Sequence, residues 1–420
     1  MQQVITDKIT LKEYSNEKRP VNFRPLVFFT LFFILGISIS RNSVYFADIT
    51  LPFLLFALSS FAFAFAVISK HKKLAWCLFG LAFGFARFII NFSLGDVLDF
   101  YLTSISNFFL PLKEALVSQT FSLFPEKAAG TISAILWGHK DSLSPLDISA
   151  FRGAGLSHIL ALSGLHVSLF VTLFDKLFPR YMRKEKLVFC VIFLIIYCSI
   201  AAFPPSLIRA SIMITIYLVS SAYFVHYDGL TSIALAAFII LFISPSEIEN
   251  LSFQMSFSAI LGISLVYKPI HIRLKKLIPR YFASSIAVTI SATLGVLPVS
   301  LNNFGTFATY SLIGNLIVLP FVTILVFSSF PCVLLSFLLP KVASALSMVI
   351  SFIYDIIFKI SDFIASLPFA SLEMSIPLPV SVCLFAAMFV VSQYYLRPQI
   401  FKLIVLTFIS ILALLSVLVI

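Results

Sequence analysis

Apolar stretches of roughly membrane-span length alternate with short polar segments along the whole chain. The runs cover residues 26–40, 49–68, 74–92, 153–174, 187–203, 206–225, 229–243, 251–266, 281–300, 309–331, 342–365, 378–396 and 399–420. A bilayer core takes roughly 20 apolar residues per helix, so the pattern predicts an all-α, polytopic transmembrane helical bundle of about thirteen spans, several of them short. The polar stretch before residue 26 is too long and too mixed in charge for an ordinary signal peptide, so 26–40 reads as a retained first span.

Between 93 and 152 the pattern changes, because charged residues recur every few positions and no run is long enough to cross. Leu98, Leu102, Ile105 and Phe109 recur at helical spacing until Pro111, which is expected to break the run. Interfacial amphipathic helices on the outer face are predicted there. Ser144, Pro145 and Asp147 read as a helix start: a capping hydroxyl, a proline at the first helical position and an acid at the third. A short helix over 145–152 then delivers the chain to Gly153. Four regions result: an amino-terminal segment with three spans (1–92), the outer-face helices (93–152), a polar-bearing core (153–335) and carboxyl-terminal spans (336–420).

Composition narrows the class further. Only 11% of the residues are charged and 60% are hydrophobic, against about 25% charged in a soluble domain, which excludes a soluble enzyme or a disulfide scaffold. Basic residues outnumber acidic ones by 29 to 18. Topology explains that excess before nucleic acid is invoked, since cytoplasmic loops gather Lys and Arg. If each run crosses once, the groups around Lys72, Arg183, Arg273, Lys341 and Arg397 share the side of the amino terminus, and Asp48, Asp96, Glu126, Glu247 and Glu373 face the other. The amino terminus is therefore expected in the cytoplasm, and the chain in the bacterial inner (cytoplasmic) membrane. The cysteines Cys77, Cys190, Cys198, Cys332 and Cys383 fall in apolar stretches without ligand spacing and read as small buried hydrophobes.

Polar groups inside hydrocarbon are costly and mark functional candidates. The densest group is Ser157, His158, Ser163 and His166, in one run with Gly153, Gly155 and Gly164. On a continuous helix Ser163 and His166 stand about 60° apart, giving one polar face, and the glycines permit close packing or a break of the kind that builds translocation sites. The plainer explanation is helix packing through Ser, His and Gly. Arg209 lies near the outer end of its span, where it either snorkels or presents a fixed charge to an anion. Gln254 and Ser256 sit in a short run suggesting a re-entrant or broken segment, and Gly314, Asn315 and Pro320 interrupt another. Arg87 and Asp362 are further embedded charges, while Asp355 and Lys359, four apart, suggest an ion pair.

Templates for metal hydrolysis and for a phosphate-binding loop are missing, so no enzyme activity, metal or cofactor is expected. One alternative is an intramembrane serine hydrolase using Ser163 and a histidine. Another is a small-solute or lipid transporter, for which no internal repeat is visible.

The stretch from Leu136-Trp-Gly-His-Lys-Asp through Phe151-Arg-Gly-Ala-Gly-Leu-Ser-His-Ile-Leu-Ala-Leu-Ser-Gly-Leu-His-Val resembles the signature of the competence domain of ComEC-type DNA-internalisation channels. Later pieces are similar in the same order: Ser206 with Arg209 and Ala210, Phe253-Gln with Ser256, Pro298, Phe304-Gly, and Asn315 with Pro320. The resemblance covers about residues 128–335. It implies an inner-membrane channel that passes single-stranded DNA into the cytoplasm during natural transformation. Membrane lipid surrounds it, and a separate DNA receptor, nuclease and cytoplasmic ATPase are its implied partners. Carried over by position, the characteristic residues are Asp141, Arg152, His158, Ser163, Gly164, His166, Arg209, Gln254 and Asn315. His158, Ser163, Gly164, His166, Arg209, Gln254 and Asn315 are candidates for the translocation path, and Asp141, Arg152 and Gly155 for structural or gating roles. Ser168 departs from the family's usual glycine. The outer soluble domain and the carboxyl-terminal metallo-hydrolase-like domain of longer members have no expected counterpart here.

Overall fold

A computed structural model describes residues 24–47, 50–68, 72–89, 94–160, 162, 164–179, 182–225, 227–374, 376–392, 405–407 and 409–410. Fifteen helices are named here, in chain order. They are α1 (Pro25–Ala47), α2 (Thr50–Ile68), α3 (Lys72–Ile89), α4 (Leu94–Leu123), α5 (Glu126–Trp137), α6 (Pro145–Gly153), α7 (Gly164–Leu177) and α8 (Arg183–Ile200). Then follow α9 (Pro205–Ala222), α10 (Gly229–Ile243), α11 (Leu251–Leu274), α12 (Arg280–Phe304), α13 (Ser311–Ser336), α14 (Pro340–Ser366) and α15 (Leu378–Val391). Five of them are long and apolar enough to cross a membrane: α9, α11, the stretch Phe282–Phe304 of α12, α13 and α14. Shorter apolar helices occur at Pro25–Arg41, Leu54–Ala64, Gly229–Ile243 and Pro379–Val391. Outward faces such as that of Met348, Phe352 and Phe363 are apolar and exposed, as a hydrocarbon surrounding requires.

The interruptions expected at Pro111 and around Pro320 are absent. The helix α4 continues through Pro111 and α13 through both Pro320 and Pro331, and α11 likewise contains Pro269. A proline removes one hydrogen bond. In an apolar setting, opening the helix would leave more backbone groups unpaired than the proline does. The helix α5, expected at the interface, lies in the core: every residue from Ala128 to Trp137 is buried. Its end is tied down by Trp137 Nε1 donating to Thr120 Oγ1 at 3.0 Å and by Tyr197 donating to the Leu136 carbonyl at 2.9 Å. Around α5 pack residues of α4, α6, α13 and α14, including Leu116, Phe151, Val318 and Ile350.

Glycine sets the two closest helix pairs. At α1 and α3, a Cβ on Gly36 would stand 2.6 Å from the Leu81 carbonyl oxygen, and one on Gly84 would collide with that of Phe33. At α11 and α12, a Cβ on Gly262 would stand 2.7 Å from the Gly295 Cα. Backbones touch at both seams, so dispersion contacts are maximal without long side chains. A small ladder completes the fold: β1 (Thr306–Ala308) pairs antiparallel with β2 (Ser371–Glu373), Phe307 opposite Leu372. Being just ahead of α13, it fixes where that helix begins.

Candidate functional site

The run 153–174, read from sequence as one span, is broken. The helix α6 begins as expected, with Ser144 Oγ accepting from the Leu146 amide at 3.2 Å and Pro145 at the first position. It ends in a Schellman motif: Leu156 N–H reaches the Phe151 carbonyl at 2.7 Å and Gly155 N–H the Arg152 carbonyl at 2.9 Å. Gly155 takes the left-handed conformation that closes this motif, with φ at 72°. A single 3₁₀ turn, Ser157–Ile159, follows, and helix resumes only at Gly164. The polar path residues therefore do not share one helical face, and the helix carrying His166 starts at Gly164, not near Gly153.

This broken segment is gripped by the starts of other helices. A Cβ on Gly314, in the first turn of α13, would stand 2.6 Å from the Ala154 carbonyl oxygen, and one on Gly155 would stand 2.9 Å from the Cα of Ser311. Ser206, in the first turn of α9, donates to the Leu162 carbonyl at 2.5 Å. A Cβ on Gly164, where α7 begins, would stand 3.3 Å from that of Ala210 on α9. Three helix amino termini thus converge here. Their dipoles add positive potential, although α9 offers few free N–H groups, because Pro204 and Pro205 have none and the Leu207 amide bonds the Pro204 carbonyl. The turn into α9 is strained, since Ala202 and Phe203 hold φ values of 61° and 50°, at a cost of about 1–3 kcal/mol each.

His158 and Ser157 are exposed in the 3₁₀ turn, between buried Leu156 and Ile159. Ser163 lies outside the described residues, and His166 is described only as part of the α7 backbone.

Arg209 does not snorkel. It is 3% exposed, and its Nη2 donates to the Ser252 carbonyl and Oγ, both at 2.8 Å, and to Ser256 Oγ at 3.0 Å. It therefore joins α9 to the first turn and a half of α11. Gln254 turns away to the preceding turn, donating to the Ile248 carbonyl at 2.9 Å, and the helix that bears it is continuous. Asn315 is buried beside the break, one residue after Gly314; its amide donates to the Ser311 carbonyl at 2.8 Å, and its own carbonyl oxygen meets no donor. Two candidates stay outside this grouping: Asp141 is 91% exposed and Arg152 is exposed. The expected pair of Asp355 and Lys359 is not among the ion pairs of the described residues, both side chains being exposed, where such a pair gains little. Arg87 donates to the Phe242 and Ile243 carbonyls, at 2.6 and 3.0 Å, at the end of α10.

Two polar clusters, one buried and one partly buried, were not anticipated. Asp147, 1% exposed, accepts from Tyr354 at 2.8 Å and from Thr131 at 3.2 Å. The Asp228 carboxylate takes both Nε and Nη2 of Arg24, at 2.7 and 2.6 Å, and also caps α10 by accepting from the Thr231 amide at 3.0 Å. The capping positions of Asp147 and Asp228 were the only local signal; their distant partners leave none in a single sequence.

Fold and site together define a multi-pass helical membrane protein whose helix starts gather on a broken, glycine-bearing segment. Within that class the chain belongs to the competence protein family, whose family model, described as competence protein, matches residues 135–399, more than half of the chain. The chain is similar to ComE operon protein 3 of Bacillus subtilis (strain 168), with 28% identity over 219 residues, covering 51% of this chain and 27% of that protein. It is also similar to an uncharacterized protein of Aquifex aeolicus (strain VF5), with 31% identity over 136 residues and 32% of each chain covered. The matches thus span 27% and 32% of the length of these curated relatives. No solved structure matches the chain.

Proposed function

We propose that the chain is the inner-membrane passage by which single-stranded DNA enters the cytoplasm during natural transformation, with its amino terminus in the cytoplasm. The observation that carries this reading is the convergence of the starts of α7, α9 and α13 on the broken segment beside His158. A strand of nucleic acid carries one negative charge per nucleotide, and helix amino termini at a discontinuous segment are a way to hold anions inside a membrane. Membership of the competence family supports DNA as the cargo. The chain contributes no bond-breaking step in this reading, so a receptor, a nuclease and a cytoplasmic ATPase supply capture, strand removal and energy.

The test uses a strain deleted for the gene and complemented with wild type or with His158→Ala. Wild type restores uptake of labelled DNA, and His158→Ala lowers it at least about tenfold, the effect of losing about 1.4 kcal/mol, at equal abundance in the membrane. Full uptake by His158→Ala, or no loss on deletion, overturns the proposal.

A further inference from the structure

Arg209 is a buried cation whose hydrogen-bonding donors are only partly satisfied. Its side chain is 97% buried, being 3% exposed, and Glu247 is the opposing charge that acts on it. Nη2 has three serine contacts, but Nε and Nη1 are buried and meet no acceptor among the described residues. Among the described residues no carboxylate lies within 4.0 Å of the guanidinium. A buried cation is ordinarily paired or satisfied on all its donors, because desolvation is otherwise uncompensated.

The groups around it suit a negative ligand. The guanidinium rests on the start of α11, where Asn250 caps the Ser252 amide and the dipole of a 24-residue helix adds positive potential. The Ser252 and Ser256 hydroxyls accept from Arg209 and so keep their own protons free to donate. The two serines are the polar part of a seam on which Ile212 and Phe257 pack with the cluster of Phe253, and α11 is held on its other side by backbone contact with α12 at Gly262 and Gly295.

We infer that Arg209, with the Ser252 and Ser256 hydroxyls, is a binding site for one phosphate-type oxyanion. Resting on the function proposed above, that oxyanion is a phosphodiester of the passing strand. The donors are sealed in this structure, so the ligand enters as the seam between α9 and α11 parts. The exchange trades three hydrogen bonds for four: two oxygens take Nη1 and Nη2 along one edge of the fork, replacing the Ser252 carbonyl and the two hydroxyl acceptors, and the two hydroxyls turn to donate to the same anion. Arg209 then serves as a positioning residue for the strand, and its bonds to α11 hold the seam shut when no anion is present.

The experiment measures thermal unfolding of the purified full chain in detergent, with sodium phosphate against sodium chloride at matched ionic strength, and separately with oligothymidylate or with phosphatidylglycerol. Wild type is expected to show a saturable rise in Tm with phosphate. Arg209→Gln is expected to lose it, and the Ser252→Ala/Ser256→Ala double variant, which keeps the cation, to weaken apparent phosphate affinity by about tenfold or more. The double variant keeps the test decisive if Arg209→Gln fails to fold. No rise in wild type, or an equal rise in the variants, overturns the site. Protection by oligothymidylate supports the strand as the source of the phosphate. Protection by phosphate or phosphatidylglycerol but not by oligothymidylate overturns that source while leaving the oxyanion site. Arginine-dependent phosphate protection together with full DNA uptake by His158→Ala would retain the site and remove the channel.

Discussion

Tyr354 on α14 donates its hydroxyl to Asp147 on α6 at 2.8 Å, joining residues 207 positions apart in the sequence. With Thr131 on the other carboxylate oxygen, this bond pins the short helix that leads into the broken segment against two core helices. Asp147 therefore works less as a dipole partner for α6 than as a buried tether.

The tether has a defined pH behaviour. Burial pushes the Asp147 carboxyl above its usual range, against the opposing pull of Tyr354, Thr131 and Lys127. A raised carboxyl pKa favours the folded state most below the unfolded value of about 3.9, and that contribution fades as pH rises through the folded value. Asp147→Asn, uncharged throughout, should therefore gain stability relative to wild type as pH rises from acid toward neutral. Asp147→Ala should lose about 1–3 kcal/mol, because two hydroxyls are left without an acceptor. Melting curves of the three proteins across pH decide this; a wild type that gains on Asp147→Asn with rising pH contradicts it.

The pair of Arg24 and Asp228 should titrate in the opposite sense. Burial alone would raise the Asp228 carboxyl, but the bonds from Arg24 and Thr231 outweigh it and hold the group below its usual range. Its stabilisation is present above the unfolded pKa and is lost as pH falls through the folded one. Arg24→Met or Asp228→Asn alone should cost about 1–3 kcal/mol, Asp228→Asn the more because it strands the buried Arg24, and Arg24→Met/Asp228→Leu much less than the sum. A double-mutant cycle in detergent measures the coupling; strictly additive losses would count against it.

Gly155 should tolerate no substitution by a branched residue. A Cβ there would stand 2.9 Å from the Ser311 Cα, and its φ of 72° lies in the left-handed region. Gly155→Val should cost at least about 1–3 kcal/mol from backbone strain alone, with the collision against α13 added. Wild-type melting of this variant would show that the break does not depend on the glycine.

The exposure of His158 predicts chemical accessibility. In a chain whose native cysteines are replaced, His158→Cys should react readily with a membrane-impermeant maleimide, while Leu156→Cys, at a position with 0% exposure, should not. Equal rates at both positions would mean that the imidazole does not face water.

Much of this was legible in the residue order. The start of α6 could be read from Ser144, Pro145 and Asp147, because a helix cap is encoded within one turn. The membrane character followed from the density of apolar residues, and the concentration of glycines and polar side chains around His158 was visible there too. Whether that segment was one span or a break could not be read, because Gly153, Gly155 and Gly164 are compatible with both; contact with α9 and α13 decided it. Prolines misled at Pro111 and Pro320, since local propensity yields to the need to keep backbone hydrogen bonds in an apolar setting.

By itself, then, the sequence determined that this protein is a bundle of apolar helices and where its unusual polar residues lie, because periodicity and composition act over a few turns. Only the tertiary structure decided which of those residues meet. Burial of Arg209 against Ser252, and of Asp147 against Tyr354, arises from packing between helices far apart in the chain, and no local pattern of amino acids specifies such a distance.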